Sequence, residues 1–215
     1  MKEEIWPIIT DYGEYTLDYF IDDEVISNLP VVGTGFKLIK VGKSISDRIF
    51  IEKMKKFIDN IDSNDSWHDK FSDEDECEKV SKKLVYIVHS SDNDEKMRIM
   101  AYIFNDYVKG KVDKEDFYLL LDIVMKSFFT YLKEFRNFAG KMITNNGKNY
   151  EKSYLEHMHN LGLFNYVGST MTTIDKMGFY EPGATIIEIN PSGTYLRDVL
   201  KDIYGRDKFN GQFNT

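Results

Sequence analysis

Residues 184–204 read ATIIEINPSGTYLRDVLKDIY, and the fold of the C-terminal third turns on them. The short β-branched run ATIIEI reads as a strand. Asn190 is then placed to cap a helix, because its side-chain oxygen can accept a first-turn amide. Pro191 suits the first helical position, where a missing N–H costs nothing. The helix is expected to run on to Tyr204, with the tail GRDKFNGQFNT (205–215) loose. Just upstream, EKSYLEHMHNLGLF (151–164) reads as a helix stopped by Gly162. FNYVGSTMTTI (164–174) reads as a strand, and DKMGFYEPG (175–183) as the turn region before the next strand.

Working back towards the N-terminus, GKMITNNGKNY (140–150) loses all periodicity and is the best candidate boundary. Before it, residues 76–138 read as three successive helices. ECEKVSKKLVYIVHS (76–90) carries Val80, Leu84, Ile87 and Val88 at helical spacing. Ser91 and Asp92 offer a cap for NDEKMRIMAYIFNDYVKG (93–110), which stops at Gly110. Asp113 caps KEDFYLLLDIVMKSFFTYLKEFRNF (114–138), read as one helix. Short links between them predict antiparallel packing.

Residues 59–78 carry nine acids against Lys70 and read as an acidic linker. It is expected to be a solvated surface; folding back to mask the basic segment before it is the alternative. That segment, residues 31–58, reads as an amphipathic helix. Val31, Leu38, Val41, Ile45 and Ile49 form its apolar stripe, with Lys37, Lys40, Lys43, Asp47 and Arg48 opposite. Between residues 31 and 56 seven basic residues face two acids, inside a chain of net charge −8. A further short helix is expected near residues 14–27. Together these readings give an N-terminal helical region (1–60), an acidic linker with a helical bundle (61–140) and a C-terminal module (141–215).

Composition narrows the function. The chain has 215 residues, 42% apolar and 14% aromatic, enough for a substantial core. Its acidity repels nucleic acid and anionic lipid, so binding either would need a local basic patch. A lone cysteine, Cys77, allows no internal disulfide, and a reducing cytoplasm fits best. The acidic start MKEEIWPIITDYGEY does not resemble a signal peptide.

The motifs that would mark chemistry fail one by one. VVGTGFKLIKVGKS (31–44) ends in Gly42-Lys43-Ser44, but a phosphate loop needs glycine where Lys37 stands. His157 and His159 are two apart and would not share a helix face, so no metal is expected. DSNDSWHDKFSD (62–73) has Asp62, Asn64 and Ser66 spaced as in a calcium loop, but Trp67 replaces the turn glycine and Asp73 the bidentate glutamate. Cys77 lies among Asp75, Glu76 and Glu78, which blunt a thiolate. No enzyme and no cofactor is expected.

Two resemblances remain. Leu161-Gly162-Leu163 at a helix end, two strands, and then Ile189, Asn190, Pro191 and Gly193 resemble the end of winged-helix domains, with Asn190 in the usual threonine place. The expected fold class is therefore mainly α, with a helical N-terminal and central region and a C-terminal α+β winged-helix-like module. DNDEKMRIMAYIF (92–104) and LGLF…INPSG also resemble uncharacterised bacterial and prophage proteins and the abortive-infection alpha group of phage-defence proteins. That resemblance implies a cytoplasmic, non-enzymatic factor binding a protein partner. Lys37, Lys40, Lys43 and Arg48, with Lys152 and Lys176 on the C-terminal module, are the expected contact residues. Leu161, Phe164 and Tyr166 are expected to support that module's packing. A winged-helix DNA regulator is the first alternative, disfavoured because Glu151, Glu156, Asp175 and Glu181 surround Lys152 and Lys176. A membrane-surface effector using the basic helix is the second. A homo-oligomer stays open.

Overall fold

A computed structural model describes residues 45–62, 70–144, 149–169, 173–174, 180–181 and 185–205. They divide into two compact units, one ending at Phe117 and the other beginning at Tyr118. Each is mainly helical, and the second adds small antiparallel sheets. Among the described residues no helix is long and apolar enough to cross a membrane. The expected helix at 14–27 and the first part of that at 31–58 lie outside the described residues.

The first unit contains α1 (Ile45–Ile58), α2 (Glu74–Ser90), α3 (Asp94–Val108) and the opening turn of α4 (Lys114–Lys126). α3 is its axis. Met97, Ile99, Met100, Ala101, Ile103, Phe104 and Tyr107 are all fully buried, so nearly every face of α3 is covered. α1 packs on both α3 and α2, and α2 buries the Val80, Leu84, Ile87 and Val88 set that periodicity had singled out. α1 uses another face than its upstream stripe implied. Phe50, Ile51, Met54 and Phe57 are buried, whereas Ile49 is exposed. The bulkier Phe50–Met54–Phe57 set, spaced by four and three, wins the core side. Phe57 and Phe71 both pack on Phe104, and Tyr107 stacks on Phe117 with centroids 4.4 Å apart.

Helix ends obey local chemistry. Asp73 Oδ1 accepts from the Asp75 and Glu76 amides, so the acidic linker's end is already part of α2. Asn93, next to the expected Ser91 and Asp92, caps α3 by accepting from Glu95 N at 2.8 Å. Asp113 caps α4 at the Asp116 amide, and Gly110 turns the chain with φ of 71°. The buried Asn105 amide ties the exit of α1 to α3: its Nδ2 donates to Asn60 O and its Oδ1 accepts from Asp62 N.

The second unit holds the rest of α4, α5 (Phe129–Phe135), β1 (Lys141–Thr144), α6 (Asn149–Asn160), β2 (Phe164–Ser169), β3 (Thr173–Ile174), β4 (Tyr180–Glu181), β5 (Thr185–Ile189) and α7 (Pro191–Tyr204). Three readings are corrected here. Residues 114–138 form two helices, because Phe128 leaves the helical conformation and turns extended (φ −71°, ψ 134°). The boundary segment 140–150 contributes β1, too short to show periodicity. The turn region 175–183 contains β4, which pairs with β3. The larger sheet runs β1-β5-β2, all antiparallel, with Ile187 buried at its centre and a bulge between Tyr166 and Gly168.

The LGL and INPSG motifs meet. Gly162 takes φ of 77° to end α6. Asn190 N then donates to Leu163 O at 3.1 Å, Asn190 Nδ2 donates to Gly162 O, and Asn190 Oδ1 accepts from Gly193 N at 2.8 Å. Gly193 presses against the same carbonyl: a Cβ there would stand 2.4 Å from Leu163 O and 2.7 Å from Ile189 Cγ1. Around this junction Leu155, Met158, Leu163, Phe164, Leu196 and Leu200 are buried.

Helix propensity alone would make Gly193→Ala stabilising by about 1 kcal/mol. The contact predicts the reverse, a loss of about 1–3 kcal/mol from overpacking. Denaturant midpoints of the purified variant check the sign, and a neutral or raised midpoint contradicts it.

Candidate functional site

The expected contact residues fall unevenly. Lys37, Lys40, Lys43 and Lys176 lie outside the described residues. Arg48 and Lys152 fall in α1 and α6, and their side chains lie outside the description. Two described lysines of the basic segment bond to neighbouring helices of their own unit. Lys53 Nζ donates to the carbonyls of His89 and Ser91, at the negative end of the α2 dipole. Lys56 pairs with Asp94 in the first turn of α3. Asp62 pairs with Lys109, the residue that follows α3. Part of the charge contrast between the basic helix and the acidic linker therefore serves to hold helices together.

Glu76 is the polar centre of the first unit. Tyr107 Oη, on a fully buried ring, donates to its Oε1 at 2.6 Å, and Lys114 pairs with its Oε2. Lys70 Nζ lies 4.1 Å from the Tyr107 ring centroid. Partial burial works to raise the Glu76 carboxyl. The hydrogen bonds from Lys114 and Tyr107, with the charges of Lys114 and Lys70, outweigh it and hold the group below the ordinary carboxylate range. Every strong partner of this carboxylate is structural. Cys77 beside it is buried, and Asp73, placed last in the calcium-like spacing, spends its carboxylate on the α2 cap. Among the described residues no three histidine, cysteine or acidic side chains converge as metal ligands.

The second unit carries the more distinctive surface. Phe128, set extended between α4 and α5, is 62% exposed. Its ring meets Tyr131 at 5.5 Å and His157 at 5.0 Å, and Tyr131 also meets His157 and Tyr154. The helix break creates this surface: a continuous helix would hold Phe128 in another direction. His157 and His159 have separate neighbourhoods, as their spacing implied. Among the described residues His157 Nε2 is buried without a hydrogen-bond partner, and burial pushes the imidazole below its ordinary range. His159 Nδ1 lies 3.1 Å from Phe164 O, and its ring supports Tyr166 at 4.1 Å. Of the three residues expected to pack the module, Phe164 is buried and Leu161 half-buried, but Tyr166 is exposed on edge strand β2 beside exposed Val167. The bulge at Val167 puts these neighbours out of the alternation that a regular strand would impose.

Sequence reasoning passed over Phe128 and Tyr131 because they lay inside one expected helix. The Lys-Ser-Phe-Phe run at 126–129 holds no glycine or proline, so nothing in it marks the break. No protein-family model, no curated protein and no solved structure matches this chain.

His157 and Glu76 both weaken the fold in acid. His157 and Glu76 sit below their ordinary values of 6.5 and 4.5 when folded, so the unfolded chain takes up more protons. Stability is expected to fall first as pH drops below about 6.5, through His157, and again below about 4.5, through Glu76. His157→Phe should remove the first loss and Glu76→Gln reduce the second in urea midpoints measured against pH. A wild-type midpoint flat over both ranges contradicts this reading.

Proposed function

We propose that this chain is a non-enzymatic protein-binding factor in bacterial phage defence or phage–host conflict, with Phe128 as an anchor for its partner. The observation that carries the binding reading is the exposure of Phe128. A large ring held rigid by Tyr131 and His157, yet open to water, costs little further entropy when a partner covers it. Tyr166 and Val167 are further exposed apolar side chains of the same unit. The setting rests on the resemblance of DNDEKMRIMAYIF and LGLF…INPSG to the abortive-infection alpha group.

The second unit is winged-helix-like in this reading. Support comes from the order of parts: α6 ending in Leu-Gly-Leu, strands β2 and β5 separated by the small β3–β4 hairpin, and a capped start to α7. Such a module serves protein docking as readily as DNA readout. Protein is favoured because exposed Glu156 of α6 and exposed Glu188 of β5 add negative charge to the unit. Lys37, Lys40, Lys43 and Arg48 supply electrostatic steering from the first unit, and Lys152 and Lys176 from the second.

Phage plating on bacterial lawns, with and without expression of the chain, tests this reading. Plating should drop at least about tenfold for some phages, and Phe128→Ala should restore it at unchanged protein level and melting temperature, as loss of an anchor worth about 2 kcal/mol would. No drop for any phage removes the defence setting. Steeply salt-dependent duplex binding, or flotation with anionic liposomes, would move the chain to the DNA or membrane class.

A further inference from the structure

A second surface stands on α2, in the first unit. Lys79, Lys82, Lys83 and Tyr86 are spaced i, i+3, i+4 and i+7, which places them on one helix face. Lys79 and Lys82 are exposed, Lys83 is half-buried, and the Tyr86 ring is 63% exposed. From Lys79 to Ser90 the helix carries no acid, although the chain as a whole has net charge −8. Ordinary helix chemistry accounts for only part of this. The dipole favours cations in the last turn, where α2 has His89; the three lysines lie further back. Lys82 pairs with Glu78 one turn earlier, and that exposed pair contributes little. Nothing in the packing of α2 requires a large ring in water at Tyr86, since the buried face is complete with Val80, Leu84, Ile87 and Val88.

We infer that this face docks an acidic peptide segment with an apolar side chain, supplied by a protein partner. Charge complementarity selects the acid, and the exposed Tyr86 ring selects the apolar neighbour. The length of the partner motif follows from geometry. Lys79 and Tyr86 are about 10 Å apart along the helix axis, a span that about three residues of extended peptide cover. A short peptide is favoured over a long polyanion or an anionic bilayer. Screening confines the attraction to about 8 Å at physiological salt. A longer polyanion would run past the lysines onto Glu74 and Asp75, exposed in the first turn of the same helix. This surface belongs to the first unit and Phe128 to the second, and its occupancy does not depend on the reading above.

The probe is a short fluorescein-labelled peptide with two adjacent glutamates about three residues ahead of a phenylalanine, titrated with the full chain and followed by anisotropy. Saturable binding is expected with Kd of about 10–100 μM at low salt, weakening as salt rises. Lys79→Glu with Lys82→Glu, and separately Tyr86→Ala, should each weaken it at least about tenfold, with circular dichroism and melting temperature retained. Should the charge reversal unfold the chain, Lys79→Gln with Lys82→Gln is expected to show the same direction. Three results overturn the proposal: no saturable binding below about 1 mM, equal binding of the peptide with glutamines in place of glutamates, or tighter binding of oligo-dT or phosphatidylserine vesicles through the same lysines.

Discussion

The carbonyl of Leu163 is the point on which the C-terminal unit depends. It receives the Asn190 amide, and the first turn of α7 lies so close above it that only glycine fits at 193. Asn190 meanwhile caps α7 with one side-chain atom and holds the Gly162 carbonyl with another. One residue thereby fastens the end of α6, the end of β5 and the start of α7. The buried set around it, from Leu155 and Met158 to Leu196 and Leu200, closes over backbone groups that have already found partners. β1 joins because Ile189 N donates to Gly140 O and the strand pairs along β5.

This junction also explains which parts of the fold were legible in the sequence. Caps and stops are local chemistry, and Asp113, Asn190, Pro191, Gly110 and Gly162 all do what their types suggest. Long periodic helices were legible for the same reason: α2 buries the residues that its spacing named. What was hidden depends on distant partners. β1 is four residues long and is a strand because β5, more than forty residues away, offers its edge. The break at Phe128 comes with no glycine or proline beside it in the sequence. On α1, a stripe extrapolated from lighter upstream residues chose Ile49, while the heavier Phe50, Met54 and Phe57 took the core.

Candidate sites were harder to read than the fold, because charge in a sequence does not say with whom it is spent. Lys53 and Lys56, two of the seven basic residues between 31 and 56, hold α2 and α3. Glu76 and Asp73 looked like a solvated acidic run and instead anchor Tyr107 and cap a helix. The surfaces left facing water are aromatic as much as charged: Phe128 with Tyr131 and His157 in one unit, Tyr86 among lysines in the other.

Amide hydrogen exchange at Asn190 and Gly193 tests the central claim most directly. If the Leu163 junction holds the C-terminal unit, both amides should exchange as slowly as those of Ile187 and Leu200 in its core and open only with the whole unit. Exchange at the fast rate of a fraying helix end, with Ile187 and Leu200 still protected, would show that the unit stands without the junction.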